Sequence, residues 1–96
     1  MSTKEGYKQK IEAELELAQA KIDELKAQAK ISTADARIKY AKHVDEIEQR
    51  VGATKAKLKE LGEASEEAWA QLKDGVESAW GALNAAIRNA AAKFKD

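Results

Sequence analysis

The sequence contains no cysteine and no proline. Without cysteine the chain can form neither disulfides nor thiolate metal sites, and it suits a reducing compartment. Without proline, no residue forces a helix to break. No apolar run approaches the roughly 20 residues of a membrane-spanning helix. The N-terminal residues also lack the apolar core of a signal peptide, so we expect a cytoplasmic protein.

An excess of charge of one sign is also missing, because 17 basic residues balance 17 acidic residues. The lysines alternate with glutamates at helical spacing, which is typical of solvated helix faces. A nucleic-acid-binding protein needs a basic patch that dominates locally, and the sequence indicates none. We therefore expect no nucleic acid partner.

The residues that are abundant are strong helix formers, chiefly alanine, glutamate, lysine, leucine and glutamine. A chain dominated by them, with apolar residues at a period of about 3.5 to 3.67, is typical of long helices or coiled coils. Its 96 residues are enough for one small domain. The sequence thus predicts a single all-α domain over residues 1–96.

The richest apolar surface lies in the stretch 66–94, which repeats every eleven residues and aligns Trp69 with Trp80. Eleven residues make almost three helical turns, so the two tryptophans lie about 20° apart on the helix surface. The large apolar residues of this face are Trp69, Leu72, Val76, Trp80, Leu83, Ile87 and Phe94. We expect this face to pack on the preceding helix, and the alternative is a surface for a partner or a membrane interface.

Two apolar seams precede this stretch. The first runs from Tyr7 to Ala29, after a capping-box pattern at Ser2–Glu5, and the second runs from Ala36 to Leu61. The seams keep helical phase across residues 31–35, which favours one continuous helix over 3–61. The alternative is a three-helix bundle with an extra turn near Ser32, where Ser32–Asp35 also resembles a capping box.

The strongest turn signal in the chain is Gly62–Ser65. Gly62 ends a seam, and Ser65 is a candidate N-cap for a helix over 65–94. The sequence therefore predicts an antiparallel helical hairpin with its main turn at 62–65. A long helix over 3–61 would leave the seam of residues 7–29 uncovered, so we expect a homo-oligomer, with a protein partner as a further way to cover it.

No pattern in the sequence indicates catalysis. The lone histidine, His43, has no convergent metal ligands at helical spacing, and the carboxylates read as solvated helix faces. Nucleotide-binding loops, nucleophile–histidine groupings and zinc spacings do not occur. We expect no enzyme, no cofactor and no metal site.

Several motifs resemble a family of small bacterial coiled-coil proteins that is generally labelled as a stress-response family and was first noted in cyanobacteria. The specific part is the pattern Ala-Trp-x-x-Leu-Lys-x-Gly-x-x-x-Ala-Trp over 68–80. Lys-Leu-Lys-Glu-Leu at 57–61 and Ala-Ala-Lys-Phe at 91–94 also match, and residues 34–40 match more loosely. The resemblance implies a cytoplasmic, non-enzymatic helical protein associated with stress, and it carries over no catalytic residues.

Two functions follow as expectations. The first is a non-enzymatic coiled-coil protein, associated with stress, that acts through helix packing or protein–protein interaction. The alternative is a peripheral membrane protein that uses its amphipathic 65–94 helix.

Overall fold

A computed structural model describes residues 3–94, with the side chain of Phe94 left outside the description. Its three helices are α1 (Thr3–Lys30), α2 (Ala34–Glu63) and α3 (Trp69–Phe94). No strand occurs among these residues, so the all-α prediction is confirmed. The predicted caps at Ser2 lie outside the described residues.

The prediction of one helix over 3–61 is wrong, because the chain leaves helical geometry at residues 31–33. Thr33 has extended backbone angles (φ −63°, ψ 162°) and its side chain accepts a hydrogen bond from the Ala36 amide. The Ser32 hydroxyl donates to the Ala29 carbonyl at 2.6 Å. These bonds satisfy groups that a continuous helix would otherwise use, so the alternative of a three-helix bundle describes the fold.

The turn between α2 and α3 lies slightly later than predicted. Helix α2 continues through Gly62 to Glu63, and Ala64 caps it with an extended backbone. No described glycine has a positive φ, so Gly62 does not act as a left-handed helix cap. Ser65 does cap the next segment, because its hydroxyl accepts from the Ala68 amide at 3.2 Å. The first α-helical residue is then Trp69 rather than a residue near Ser65.

The core runs along the axis of the bundle and receives side chains from all three helices. Its fully buried members include Ile22 and Leu25 of α1, Ile47 and Leu61 of α2, and Leu83 of α3. The buried hydroxyl of Thr54 is satisfied by the Arg50 carbonyl at 2.8 Å. Among the described residues, no helix combines the length and apolarity needed to cross a bilayer.

The seam of α1 is covered within the chain. Its buried residues are Ile11, Leu15, Ala18, Ile22, Leu25 and Ala29. Because α2 folds back after residue 33 and α3 returns beside it, each helix buries one face against the other two. The uncovered seam that predicted a homo-oligomer is therefore absent, and an argument for self-association needs a different surface.

Candidate functional site

The face predicted to pack on the preceding helix, or alternatively to meet a partner or a membrane, lies on α3 and is largely turned into the bundle. Val76, Leu83 and Ile87 are buried. Trp69, Leu72 and Trp80 are partly buried and pack against the core. The side chain of Phe94 lies outside the described residues. Most of the described residues of this face thus pack inside the bundle, and of these six residues the two tryptophans and Leu72 are the ones that keep an exposed edge.

Trp69 belongs to a small aromatic cluster at the end of the bundle where α1 begins. Its ring centroid lies 6.1 Å from that of Tyr7, with the two planes tilted by 42°. The Lys73 ammonium lies 5.1 Å from the centroid of the Tyr7 ring, within the range of a cation–π interaction. This cluster joins α1 to α3 close to their N-terminal ends.

The Tyr7 hydroxyl is buried and makes no hydrogen bond of good geometry among the described residues. Burial, followed by the negative charges of Glu77, Glu14 and Asp74, raises the pKa of Tyr7 to about 12. Glu77 is near enough to contribute, but its geometry falls short of a well-formed hydrogen bond. The hydroxyl stays protonated at neutral pH, so it supplies no base for catalysis.

Two lysines of α1 close the same end of the bundle over the turn between α2 and α3. The Lys4 ammonium donates to the Ala64 carbonyl at 2.8 Å and to the Gly62 carbonyl at 3.4 Å. The Lys8 side chain crosses Gly62 so closely that a Cβ there would lie 3.3 Å from its Cε atom. These contacts satisfy carbonyls at the C-terminus of α2 and favour its dipole.

A shallow groove separates α1 from α3. Trp80 lines its α3 side, and Leu17 and Ala18 line its α1 side. Glu14, Lys21, Asn84 and Ile87 complete its lining. The groove volume of about 230 Å³ suits one or two side chains, since small-molecule pockets usually enclose roughly 300 to 1,000 Å³. Leu17 is 74% exposed, although it is a large aliphatic residue. The sequence predictions omitted Leu17 because it follows the buried Leu15 by two positions and so falls off the seam.

The remaining polar candidates do not converge. His43 is half-buried and lines a furrow between α2 and α3 together with Arg50, Asn89 and Lys93. Within the described part of the chain, no three histidine or carboxylate side chains are placed to hold a metal ion. Among the described residues, these side chains offer apolar and charged contact surfaces.

No family model, no curated protein and no solved structure matches this chain. The resemblance to the stress-response family therefore remains an expectation, and the function must be argued from the surfaces of the bundle.

Proposed function

We propose that this protein is a non-enzymatic helical interaction protein that self-associates through the groove between α1 and α3. Association with stress and a cytoplasmic location belong to the same proposal. The stress association is supported by the resemblance of the 68–80 motif. The location is supported by the absence of cysteine, which suits a reducing compartment.

The observation that carries the proposal is the exposure of Leu17 beside Trp80. Leu17 is 74% exposed and shares a groove with the partly buried Trp80. Aromatic residues with one accessible edge are enriched in protein interfaces, and an aliphatic side chain can cover such an edge. A second Leu17 in this groove would remove apolar surface of both residues from water.

The charges around Leu17 favour a second copy of the same chain as the occupant. Leu17 lies on an outer stripe of α1 whose members are Lys10, Glu14, Leu17, Lys21 and Glu24. These positions fall within an arc of about 80° on the helix surface. Along the stripe the charges run positive, negative, leucine, positive, negative. A second copy of the stripe, running in the opposite direction, therefore places a negative charge opposite each positive charge.

Two copies of α1 that cross antiparallel at Leu17 would therefore pair opposite charges. Glu14 of one copy would face Lys21 of the second copy, and Lys10 would face Glu24. A two-fold axis repeats each pair, as an isologous dimer requires. Lys21 and Glu24 already approach to 3.5 Å within one chain, but both are exposed, and such pairs contribute little. They can exchange partners at small cost.

The mass in solution tests this proposal. Sedimentation equilibrium over a range of concentrations should show the 10.5 kDa chain converting to twice that mass. Glu14→Lys should weaken dimerisation, because it sets two lysines against each other, and Lys21→Glu should weaken it equally. The double variant Glu14→Lys/Lys21→Glu should restore it, since both pairs are then reversed together.

Leu17→Ser tests the apolar part of the same contact and should give a monomer at all concentrations. Ile38→Ser is its matched control, because Ile38 is an equally exposed aliphatic residue (72%) on another helix and should leave the dimer intact. A wild-type chain that is monomeric throughout, or a double variant that fails to restore association, would contradict the proposal.

The alternative is membrane binding through α3. One observation favours this helix as the inserting element: five of its 26 residues are charged, against 12 of 28 in α1. Because Val76, Leu83 and Ile87 are buried, the bundle must open before they can meet lipid. Tryptophan emission that shifts to the blue on adding anionic vesicles would support this alternative, and an unchanged spectrum would exclude it.

A further inference from the structure

The end of the bundle where α1 turns into α2 carries an excess of positive charge that the balance of the whole chain conceals. Residues 26–43 contain five lysines and arginines and one acid, Asp35. The matching window at the opposite end, residues 60–77, contains six acids and one base. Since the helices run 51 Å along the long axis of the molecule, the two regions are well separated. We call residues 26–43, together with Lys93, the basic end.

Most of this charge remains available to a partner. Lys26 is paired with Glu48 of α2. Lys30, Lys39 and Lys42 make no ion pair with any described residue and are exposed. Lys39 and Lys93 also line one cavity between α2 and α3, next to His43. A phosphate group in this cavity would meet the ammonium groups of Lys39 and Lys93 and one carboxylate, that of Asp35, so positive charge is in excess there.

Two large aliphatic side chains project from the same region. Ile31 is 87% exposed and Ile38 is 72% exposed. Ile31 lies in the turn itself, and Ile38 lies just over one helical turn into α2. Nine positions separate Ile38 from the fully buried Ile47, which places it on the side of α2 away from the core. Neither residue contributes to the core of the bundle.

The turn that presents these isoleucines is well supported. The Arg37 guanidinium donates to the Lys30 carbonyl at 3.0 Å and to the Ser32 carbonyl at 3.4 Å. The Ala29 carbonyl at the end of α1 accepts from Ser32, and the Ala36 amide at the start of α2 donates to the Thr33 side chain. The two exposed isoleucines therefore lie at or next to a turn that is already held by hydrogen bonds. Their insertion into a bilayer would cost little further conformational entropy of the backbone.

We propose that the basic end is a docking surface for an anionic lipid bilayer. The lysines contact lipid phosphates, and Ile31 and Ile38 enter the boundary between headgroups and acyl chains. Cations near an anionic leaflet and apolar side chains buried at its interface are the two contributions that bind peripheral proteins. This surface does not include the outer stripe of α1 around Leu17, so it is independent of the proposed self-association.

A bilayer fits this surface better than an acidic protein or a nucleic acid. The isoleucines stand at the tip of an elongated molecule, and a fluid interface can accommodate single projecting side chains without a matching pocket. A nucleic acid would satisfy the lysines, but its phosphate backbone would leave both isoleucines in water. An acidic protein would need an apolar pocket for each isoleucine.

Binding to vesicles tests the proposal with the full chain. We expect cosedimentation with vesicles of phosphatidylglycerol and phosphatidylcholine in equal parts, weakening as salt is added, and none with pure phosphatidylcholine. Lys39→Gln/Lys42→Gln should reduce the partition coefficient about 30-fold, since each cation contributes about five-fold. Lys55→Gln/Lys59→Gln removes the same charge from the far half of α2 and should change it less than about three-fold.

The isoleucines need a second pair of variants. Ile31→Ser/Ile38→Ser should lower binding about ten-fold or more and abolish the part that persists at high salt. Leu17→Ser removes an exposed aliphatic residue outside the surface. Compared at a protein concentration where the wild type is also monomeric, it should leave vesicle binding unchanged, since a dimer would present two basic ends. Circular dichroism of every variant should match the wild type, because all the substituted side chains are exposed or line a surface cavity.

Three outcomes would overturn the proposal. One is a wild-type chain that ignores anionic vesicles at low salt. Another is an equal loss of binding in the Lys39/Lys42 and Lys55/Lys59 variants, which would indicate attraction without a site. The last is binding of a DNA duplex as tight as vesicle binding and insensitive to the isoleucine substitutions. Tryptophan emission should stay constant on vesicle binding, whereas a blue shift would indicate that α3 has opened instead.

Discussion

Tyr7 near the start of α1 packs its ring against that of Trp69 at the start of α3, with 6.1 Å between the ring centroids. The contact joins residues separated by most of the chain. It lies at the end of the bundle where Lys4 and Lys8 cover the turn between α2 and α3. Trp69, which the eleven-residue repeat predicted as a packing residue, therefore packs against the first helix at this end of the bundle.

The Tyr7 hydroxyl contributes nothing favourable to this contact. It is buried without a well-formed hydrogen bond, and an unsatisfied buried polar group costs about 1 to 3 kcal/mol. Tyr7→Phe should therefore raise the free energy of unfolding by about 1 kcal/mol, measured by urea denaturation. Tyr7→Leu should lower it by about 1 to 2 kcal/mol, because the aromatic pair and the interaction with Lys73 are lost. A stability loss in Tyr7→Phe would show that Glu77 accepts a hydrogen bond from this hydroxyl.

The raised pKa of Tyr7 makes stability depend on alkaline pH. Below pH 10 the hydroxyl is protonated in both the folded and the unfolded chain, and its contribution is fully present. The unfolded tyrosine ionises near its ordinary pKa of 10.0, whereas the folded tyrosine keeps its proton up to about 12. Between these values the unfolded state binds fewer protons, so the free energy of unfolding falls as pH rises.

Denaturation of wild type and Tyr7→Phe across this pH range measures the effect, because both chains share the same lysines. We expect the wild type to lose stability faster than the variant between pH 10 and about 12. The tyrosinate absorbance of the folded wild type, after subtraction of that of the folded variant, should show the ionisation of Tyr7 at pH about 12. Parallel stability curves would mean that Tyr7 ionises equally easily in both states.

The sequence alone was enough to predict the helical class, the buried residues of the seams on α1 and α2, and the capping role of Ser65. These features are local, because apolar spacing and cap chemistry act within one or two turns. The break at 31–33 was mistaken for continuous helix, since Ala29 and Ala36 stand two turns apart and keep phase by spacing alone. Ala29 is buried at the end of α1 and Ala36 is half-buried at the start of α2. Two antiparallel helices that each bury one face can therefore show the same apolar spacing as one unbroken helix.

Other features depend on contacts between residues that are distant in the chain, and local sequence patterns do not predict them. Gly62 looked like a turn residue, yet it lies within α2 and leaves room for the Lys8 side chain. The sequence also does not show that Leu17 and Trp80, which are far apart in the chain, line the same groove. The expectation that no basic patch dominates locally is wrong for residues 26–43, because counting charge in windows gives five basic residues and one acid there. The exposure of Ile31, in contrast, required the turn to be known.

The cap at Thr33 should be measurable as a contribution to stability. Its side chain accepts from the Ala36 amide at 3.3 Å, and replacing such an N-cap with alanine costs about 1 kcal/mol. Thr33→Ala should lower the free energy of unfolding by that amount while the helix content stays nearly constant. Ser78→Ala, at an exposed position inside α3, is the control and should be neutral or slightly stabilising. A gain of stability in Thr33→Ala would mean that α1 and α2 can join into one helix.

The glycines of α2 provide a paired prediction, since both have helical backbone and only one has a close neighbour. A Cβ at Gly52 would meet nothing within 4 Å, whereas a Cβ at Gly62 would lie 3.3 Å from Lys8 Cε. Gly52→Ala should therefore raise the free energy of unfolding by about 0.5 to 1 kcal/mol. Gly62→Ala should gain less, because the Lys8 side chain must move aside.

Truncating the lysine separates these two contributions. In a Lys8→Ala background nothing would oppose the new methyl group, so Gly62→Ala should then stabilise the protein as much as Gly52→Ala does. Thermal and urea denaturation of the four single and double variants would measure the coupling between positions 8 and 62. If both alanine substitutions raise the free energy of unfolding equally in the wild-type background, the Lys8 side chain moves aside without cost. Glycine at position 62 would then not be needed to accommodate Lys8.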